Sequence, residues 1–160
     1  MFGEAVEALT RGQIMCQPSF DKVVFSNGSR VLSLPSSADG SALRGWTARC
    51  VCIDEAAFIP HLDGILQAVA PSLTRDPDAE LVLASTPAGR NGTFYDLWCR
   101  ASEDPAWHVQ STTVHDAIHA GLRIDLASLH ELCPDPMVFA QEYECCWAAS
   151  SSQLFDLDLL

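Results

Sequence analysis

The chain has 160 residues, 48% of them hydrophobic and 19% charged, enough apolar material for one core of ordinary domain size. Nine Lys and Arg stand against 21 Asp and Glu, a net charge of −12; this excludes tight non-specific gripping of nucleic acid by the chain alone and fits an acidic surface that keeps it in solution. No apolar run approaches the roughly 20 residues of a membrane-spanning helix and "MFGEAVEALT" lacks the basic start and apolar stretch of a secretory leader, so a soluble, cytoplasmic protein with no membrane partner is expected.

Residues 3–12, "GEAVEALTRG", space apolar groups at helical intervals and run out at Gly12, which reads as the end of a helix whose fold starts further upstream. "DKVVFSNGSRVLSLP" follows, two β-rich runs about Asn27-Gly28, and predicts a hairpin with strands over Lys22–Ser26 and Arg30–Leu34. Residues 35–47, "PSSADGSALRGWT", form a loop with one cation, Arg44, set between Leu43 and Gly45. "RCVCID" then reads as a short, continuously apolar strand of the kind buried on both faces of a parallel sheet. "HLDGILQAVAPSL" predicts a helix, "TRDPDAE" a polar turn, and "LVLAS" at 81–85 a second strand, so residues 49–85 make a βαβ unit.

A helix is predicted to start near Thr93, and "AWHVQSTTV" predicts a strand at 107–113. Residues 125–143 read as two short helices separated by Pro134 and Pro136. The serine run at 150–152 reads as a linker, which divides the chain into a domain over 1–148 and a linker over 149–160. Seven cysteines, at positions 16, 50, 52, 99, 133, 145 and 146, contain no C-x-x-C pair and are expected to be reduced and to fill core space.

In open α/β sheets ligands bind outside the carboxyl ends of the strands, which would bring Asp54 and Glu55 to the same crevice as Ser85 and Thr86. Two adjacent acids at a strand end suit nucleotide hydrolysis, the first holding Mg²⁺ and the second orienting and polarising the attacking water. Capping of the turn "EAAF" by Asp54 stands beside that reading with equal weight. The string "LASTPAGRNGTFY" puts hydroxyls at a strand tip, ends the strand with Pro87 and turns through glycines into a helix; such a loop suits phosphate sensing, and equally an ordinary βα turn. His115 and His119 lie at i, i+4 without a third ligand at a fixed interval and read as a surface helix face. Phe94, Tyr95 and Trp98 follow helical spacing and read as core.

Taken in order, "SNGSRVLSLP", "LRGWTARCVCIDEAAFI" and "LVLASTPAGRNGTFYDLW" resemble the ATPase domain of the large terminase subunit of tailed phages, the DNA-packaging motor, over about Phe20 to Tyr143. The resemblance implies that "VCIDE" is the Walker B strand, with Asp54 the Mg²⁺ ligand and Glu55 the catalytic glutamate. It implies that Ser85 and Thr86 belong to the nucleotide-coupling motif, and that Arg44 falls where some members carry an arginine finger that reaches a neighbouring subunit's nucleotide. ATP and Mg²⁺ are the cofactors it implies. The implied partners are double-stranded DNA, the portal protein, the small terminase subunit and further copies of the chain, in the cytoplasm of a bacterial host.

One departure is plain: the 160 residues contain no G-x-x-x-x-G-K-[ST], the loop whose amides and lysine cradle phosphates. The clustered carboxylates of the family's nuclease are missing too. The expected fold is therefore α/β, a partial P-loop NTPase three-layer fold with a mainly parallel sheet, lacking the P-loop strand and helix and leaving an exposed apolar edge. On this reading the chain is the later part of a terminase ATPase domain that does not hydrolyse ATP by itself. A non-catalytic remnant pairing with a separate P-loop-bearing chain is the alternative; a helicase-like ATPase piece is disfavoured by the lack of basic motifs after residue 86.

Overall fold

A computed structural model describes residues 21–35 and 44–148. The helix end expected at residues 3–12 and the linker expected from 149 lie outside the described residues, as does most of the 35–47 loop. The described elements are strands β1 (Lys22–Val24), β2 (Arg30–Leu32), β3 (Cys50–Ile53) and β4 (Glu80–Leu83), and helices α1 (Leu62–Leu73), α2 (Gly92–Ala101), α3 (Val114–His119), α4 (Leu126–Leu132) and α5 (Pro136–Glu144).

β1 and β2 pair antiparallel with Val23 opposite Val31, so the hairpin forms where Asn27-Gly28 predicts it, with strands two residues shorter than expected at their loop-side and far ends. The reason lies in the turn. Gly28 N–H donates to Phe25 O and Phe25 N–H to Ser29 O, a three-residue loop over 26–28. Gly28 sits at φ 84°, the left-handed conformation that such a loop requires at its last position, and the Asn27 side chain accepts from Ser29 N–H.

β3 and β4 pair parallel, Cys50 opposite Glu80 through Ile53 opposite Leu83, and α1 connects them, so the βαβ unit is as the apolar periodicity predicts. Leu62, Ile65, Val69 and Ser72 fall on one stripe of α1 and are buried. With Ile53, Ala56 and Phe94 the apolar members of that stripe form the core, against which Val51, Leu81, Leu83 and Trp147 pack. The helix ends where its carbonyls find other donors: the Thr74 hydroxyl donates to Pro71 O and Ala48 N–H to Ser72 O.

Two expectations are corrected here. β3 is not buried on both faces: Val51 and Ile53 face the helices, whereas Cys50 and Cys52 on the alternate face are exposed, and Val82 beside them is 42% exposed. Among the described residues helices cover one face of this sheet, giving two layers and not three, and the cysteines line the open face instead of filling the core. The second correction concerns residues 107–113, which form no strand. Trp107 to Gln110 line a cleft of about 760 Å³ together with β4 and form no ladder with it.

The rest of the described chain is mainly helical, and side chains cap the last three helices but not α2. Asn91 precedes α2. Thr113 and Asp116 form a reciprocal box at the start of α3, with Asp116 N–H donating to the Thr113 hydroxyl and Thr113 N–H to the Asp116 carboxylate at 2.8 Å. The Thr113 hydroxyl also donates to that carboxylate at 2.7 Å, and this bond first, then the one from Thr113 N–H, holds the Asp116 carboxyl below its ordinary range. Asp125 caps α4 and Asp135 caps α5, where Pro136 is the first helical residue and not a separator, a position at which its missing N–H costs nothing. His130 stacks on Phe139 with ring centroids 3.8 Å apart and holds α4 to α5.

The stripe of α1 carries the core, so its deepest member sets the scale of stability. Ile65→Ala is expected to lower unfolding free energy by about 2–4 kcal/mol, measured by urea denaturation, whereas Leu132→Ala, at a side chain 82% exposed, is expected to leave the midpoint unchanged.

Candidate functional site

The site is built where β3 and β4 end. Parallel pairing in register, with Ile53 opposite Leu83, carries both strands to the same edge, so the residues that follow, Asp54–Glu55 and Ala84–Ser85, come out together. Three hydrogen bonds continue the ladder past the strands: Ala84 N–H to Ile53 O at 3.0 Å, Ala56 N–H to Ala84 O at 3.1 Å, and Ala57 N–H to the Ser85 hydroxyl at 3.1 Å. After Glu55 the chain makes one 3₁₀ turn, Ala56–Phe58, closed by Phe58 N–H donating to Glu55 O.

This pattern bears on the capping reading of Asp54. A capping carboxylate would take the first free amides of the turn, but those of Ala56 and Ala57 are already taken by the tip of β4. Asp54 Oδ1 accepts only the N–H of the next residue, Glu55, at 3.0 Å. The other oxygen of Asp54 and the whole Glu55 carboxylate have no hydrogen bond or ion pair among the described residues, and both side chains are exposed.

Glu55 stands at φ 52°, ψ 37°, the left-handed region, which costs a residue with a Cβ about 1–2 kcal/mol. The other described residue of this kind that is not glycine is Cys145 at φ 56°, which ends α5 with Cys146 N–H reaching back to Ala140 O, an ordinary helix termination. At Glu55 no helix is being ended. The left-handed residue instead reverses the chain between strand and turn, and leaves the carboxylate at the sheet edge.

Ser85 and Thr86 are half-buried beside this turn, and Pro87 and Gly89 behind them are buried. Ser85 Oγ is used as an acceptor, so its hydroxyl proton remains for another partner. The following loop is held from behind by a residue the sequence reasoning missed. Trp147 packs on the α2 aromatic group, its ring centroid 5.0 Å from Tyr95 and 6.0 Å from Phe94 and from Trp98. Its carbonyl accepts from Arg90 Nε at 3.2 Å. Of that group only Phe94 is fully buried, so an aromatic face at helical spacing signalled a missing partner, although nothing in sequence named Trp147.

Arg44 is not brought to the two acids. It lies with Gly45, Trp46 and Thr47 against the last turn of α1, near the start of β3, while Asp54 and Glu55 lie past its end. His115 and His119 are exposed on α3, as expected; His115 Nε2 is 3.7 Å from Glu144 Oε1, and no group of three or more His, Cys, Asp or Glu able to hold a metal occurs among the described residues. The Cys52 thiol, two residues before Asp54, is pushed up by partial burial first and then by the Asp54 charge, so it stays protonated at neutral pH. No described helix is long and apolar enough to cross a membrane.

Comparison with known families adds one finding. The family model for the N-terminal region of the terminase large subunit, T4likevirus-type, matches residues 6–160. The match includes the site and extends at both ends beyond the motifs that carry the sequence resemblance.

Because Glu55 pays a conformational cost that glycine would not, Glu55→Gly is expected to stabilise the chain by about 0.5–1 kcal/mol in urea denaturation, the left-handed penalty less the extra entropy of glycine in the unfolded chain. Glu55→Ala, which keeps a Cβ at φ 52°, is expected to give no such gain. Equal effects of the two substitutions would show that the turn is not strained.

Proposed function

The chain belongs to the N-terminal family of T4-like terminase large subunits, and on that premise we propose that the end of β3 is the hydrolytic half of an ATP site that powers packaging of viral DNA. The observation that carries this reading is the pair of adjacent carboxylates left with unengaged oxygens because the tip of β4 satisfies the turn after them. A structural cap would have consumed them.

In the proposed arrangement Asp54 holds Mg²⁺ through the oxygen that does not accept from Glu55 N–H. The donor set fits: an exposed carboxylate with a free oxygen is a hard ligand of the kind Mg²⁺ takes, one or two per site with water and phosphate completing the shell. When bound, the metal would neutralise charge on the transferring phosphoryl group. Glu55 orients and polarises a water at the sheet edge, and its position on a left-handed residue keeps the carboxylate clear of the turn's own amides. Ser85 and Thr86 take the sensing role: the Ser85 hydroxyl already holds the turn through Ala57 N–H, so a partner that draws on that hydroxyl acts on the Glu55 turn directly. Arg44, set apart from these residues, acts on the nucleotide of a neighbouring copy.

The phosphate cradle does not fit these 160 residues, since no P-loop sequence occurs among them. ATP binding is therefore proposed to need a P-loop supplied by other residues, and double-stranded DNA, portal protein, small subunit and further copies are the partners of the complete motor. Among the described residues β4 pairs on one edge only, which supports the pairing version of this reading. Glu80 and Ala84 turn their N–H groups to β3, so those of Leu81 and Leu83 point by alternation into the cleft that Trp107 to Gln110 border.

Two measurements test the proposal. The purified 160-residue chain is expected to show no Mg²⁺-dependent ATP turnover above background; turnover abolished by Glu55→Gln would mean that no external phosphate loop is needed. Substoichiometric Mn²⁺, standing in for Mg²⁺, is expected to broaden the amide signals of Ile53 to Ala57 selectively and to lose that selectivity in Asp54→Asn. Broadening spread evenly over the acidic surface would count against Asp54 as the metal ligand.

A further inference from the structure

The last turn of α1 and the loop before β3 enclose a second concave site, of about 290 Å³, at the small end of the range of about 300–1,000 Å³ usual for ligand clefts. Arg44, Thr47, Gln67, Ser72 and Arg75 line it. Two features set it apart. Among the described residues Arg44 and Arg75 have no ion pair, although the chain carries 21 acids against 9 Lys and Arg. Arg49, close by, shows that acids are within reach of this region: it lies 3.5 Å from Asp76 and 3.9 Å from Asp78. Ser72 is 6% exposed, the one buried polar residue among those described, and its hydroxyl has no hydrogen-bond partner among them, although its carbonyl accepts from Ala48 N–H. A buried hydroxyl without a partner has lost its hydration with no bond in return, and two arginines on one small cleft repel each other unless an anion lies between them.

We propose that this notch is a binding site for a phosphate group, held by Arg44 and Arg75 together with the Ser72 hydroxyl as a further donor. Guanidinium groups present forked donors matched to phosphate oxygens, and Gln67 and Thr47 add neutral donors at the rim. The dipole of α1 accounts for a cation at Arg75, just beyond the Thr74 cap, but places no demand on Arg44, which comes from a different segment. The notch extends the role proposed for Arg44 by giving it a second cation, Arg75. It rests on that reading only for which phosphate arrives, and not on hydrolysis at Asp54 and Glu55. The phosphate belongs either to a nucleotide or to the DNA backbone, and the chemistry of the notch is common to both.

The test is titration of the full 160-residue chain with sodium pyrophosphate in low-salt buffer, followed through the Arg Nε–Hε signals by NMR. Saturable shifts of Arg44 and Arg75, with Arg123 unmoved, are expected. Arg75→Ala and Arg44→Ala are each expected to weaken binding about tenfold, Arg75→Lys to recover part of the loss, and Arg123→Ala to change nothing. Titration with ATP and with a short DNA duplex then identifies the source, since the tighter of the two is the natural ligand class. Non-saturating shifts spread over all arginines, or wild-type affinity in Arg75→Ala, would overturn the proposal. Because neither outcome depends on ATP turnover, it fails separately from the hydrolytic reading.

Discussion

Two hydrogen bonds, from Ala56 N–H to Ala84 O and from Ala57 N–H to the Ser85 hydroxyl, connect the end of one parallel strand to the turn that follows the other. A turn at a strand end must satisfy its leading amides somehow. Here the neighbouring strand does so, and the two acids between strand and turn are left with oxygens unengaged. The arrangement depends on register: a one-residue slip of β4 would place Thr86, not Ser85, opposite the turn and would turn the Leu81 and Leu83 side chains away from the α1 core. Packing of the core and exposure of the carboxylates are thus two results of one strand pairing.

The left-handed Glu55 is the local cost of this design. A glycine would relax the backbone but remove the carboxylate, so the strain is the sort expected where a side chain is kept for chemistry and not for stability. The surroundings hold it in place. Buried Pro87 and Gly89 follow the strand tip, and Trp147 closes over the α2 aromatics while its carbonyl receives Arg90. The loop after β4 therefore contacts the Glu55 turn on one side and the end of the described chain on the other, which gives a change at the strand tip a physical route to both.

Much of this was legible in the residues. The βαβ unit follows from apolar runs separated by an amphipathic stretch, the hairpin from Asn27-Gly28, and the meeting of Asp54–Glu55 with Ser85 from the rule that parallel strands end together. What was not legible is tertiary. "RCVCID" carries no mark telling a strand covered on both faces from one whose cysteines face out, because Cys suits either environment. The run at 107–113 has strand-like composition, but pairing needs a partner at about 4.8 Å, and its position across a cleft from β4 is set by α2 and the turn after it. Neither Trp147 nor the shared notch of Arg44 and Arg75 follows from spacing, since each joins segments far apart in the chain.

The unengaged oxygens of the two acids depend on the β4 tip holding the turn that follows them. Amide hydrogen exchange in the full chain, with and without Ser85→Ala, reads that directly. Loss of the Ser85 hydroxyl is expected to cut the protection of the Ala57 amide about three- to tenfold, the equivalent of about 0.5–1.5 kcal/mol for one hydrogen bond, while Ala56, bound to a backbone carbonyl, keeps its protection. Unchanged protection at Ala57 in Ser85→Ala would mean that some other group satisfies the turn and that the two carboxylates are free for a different reason.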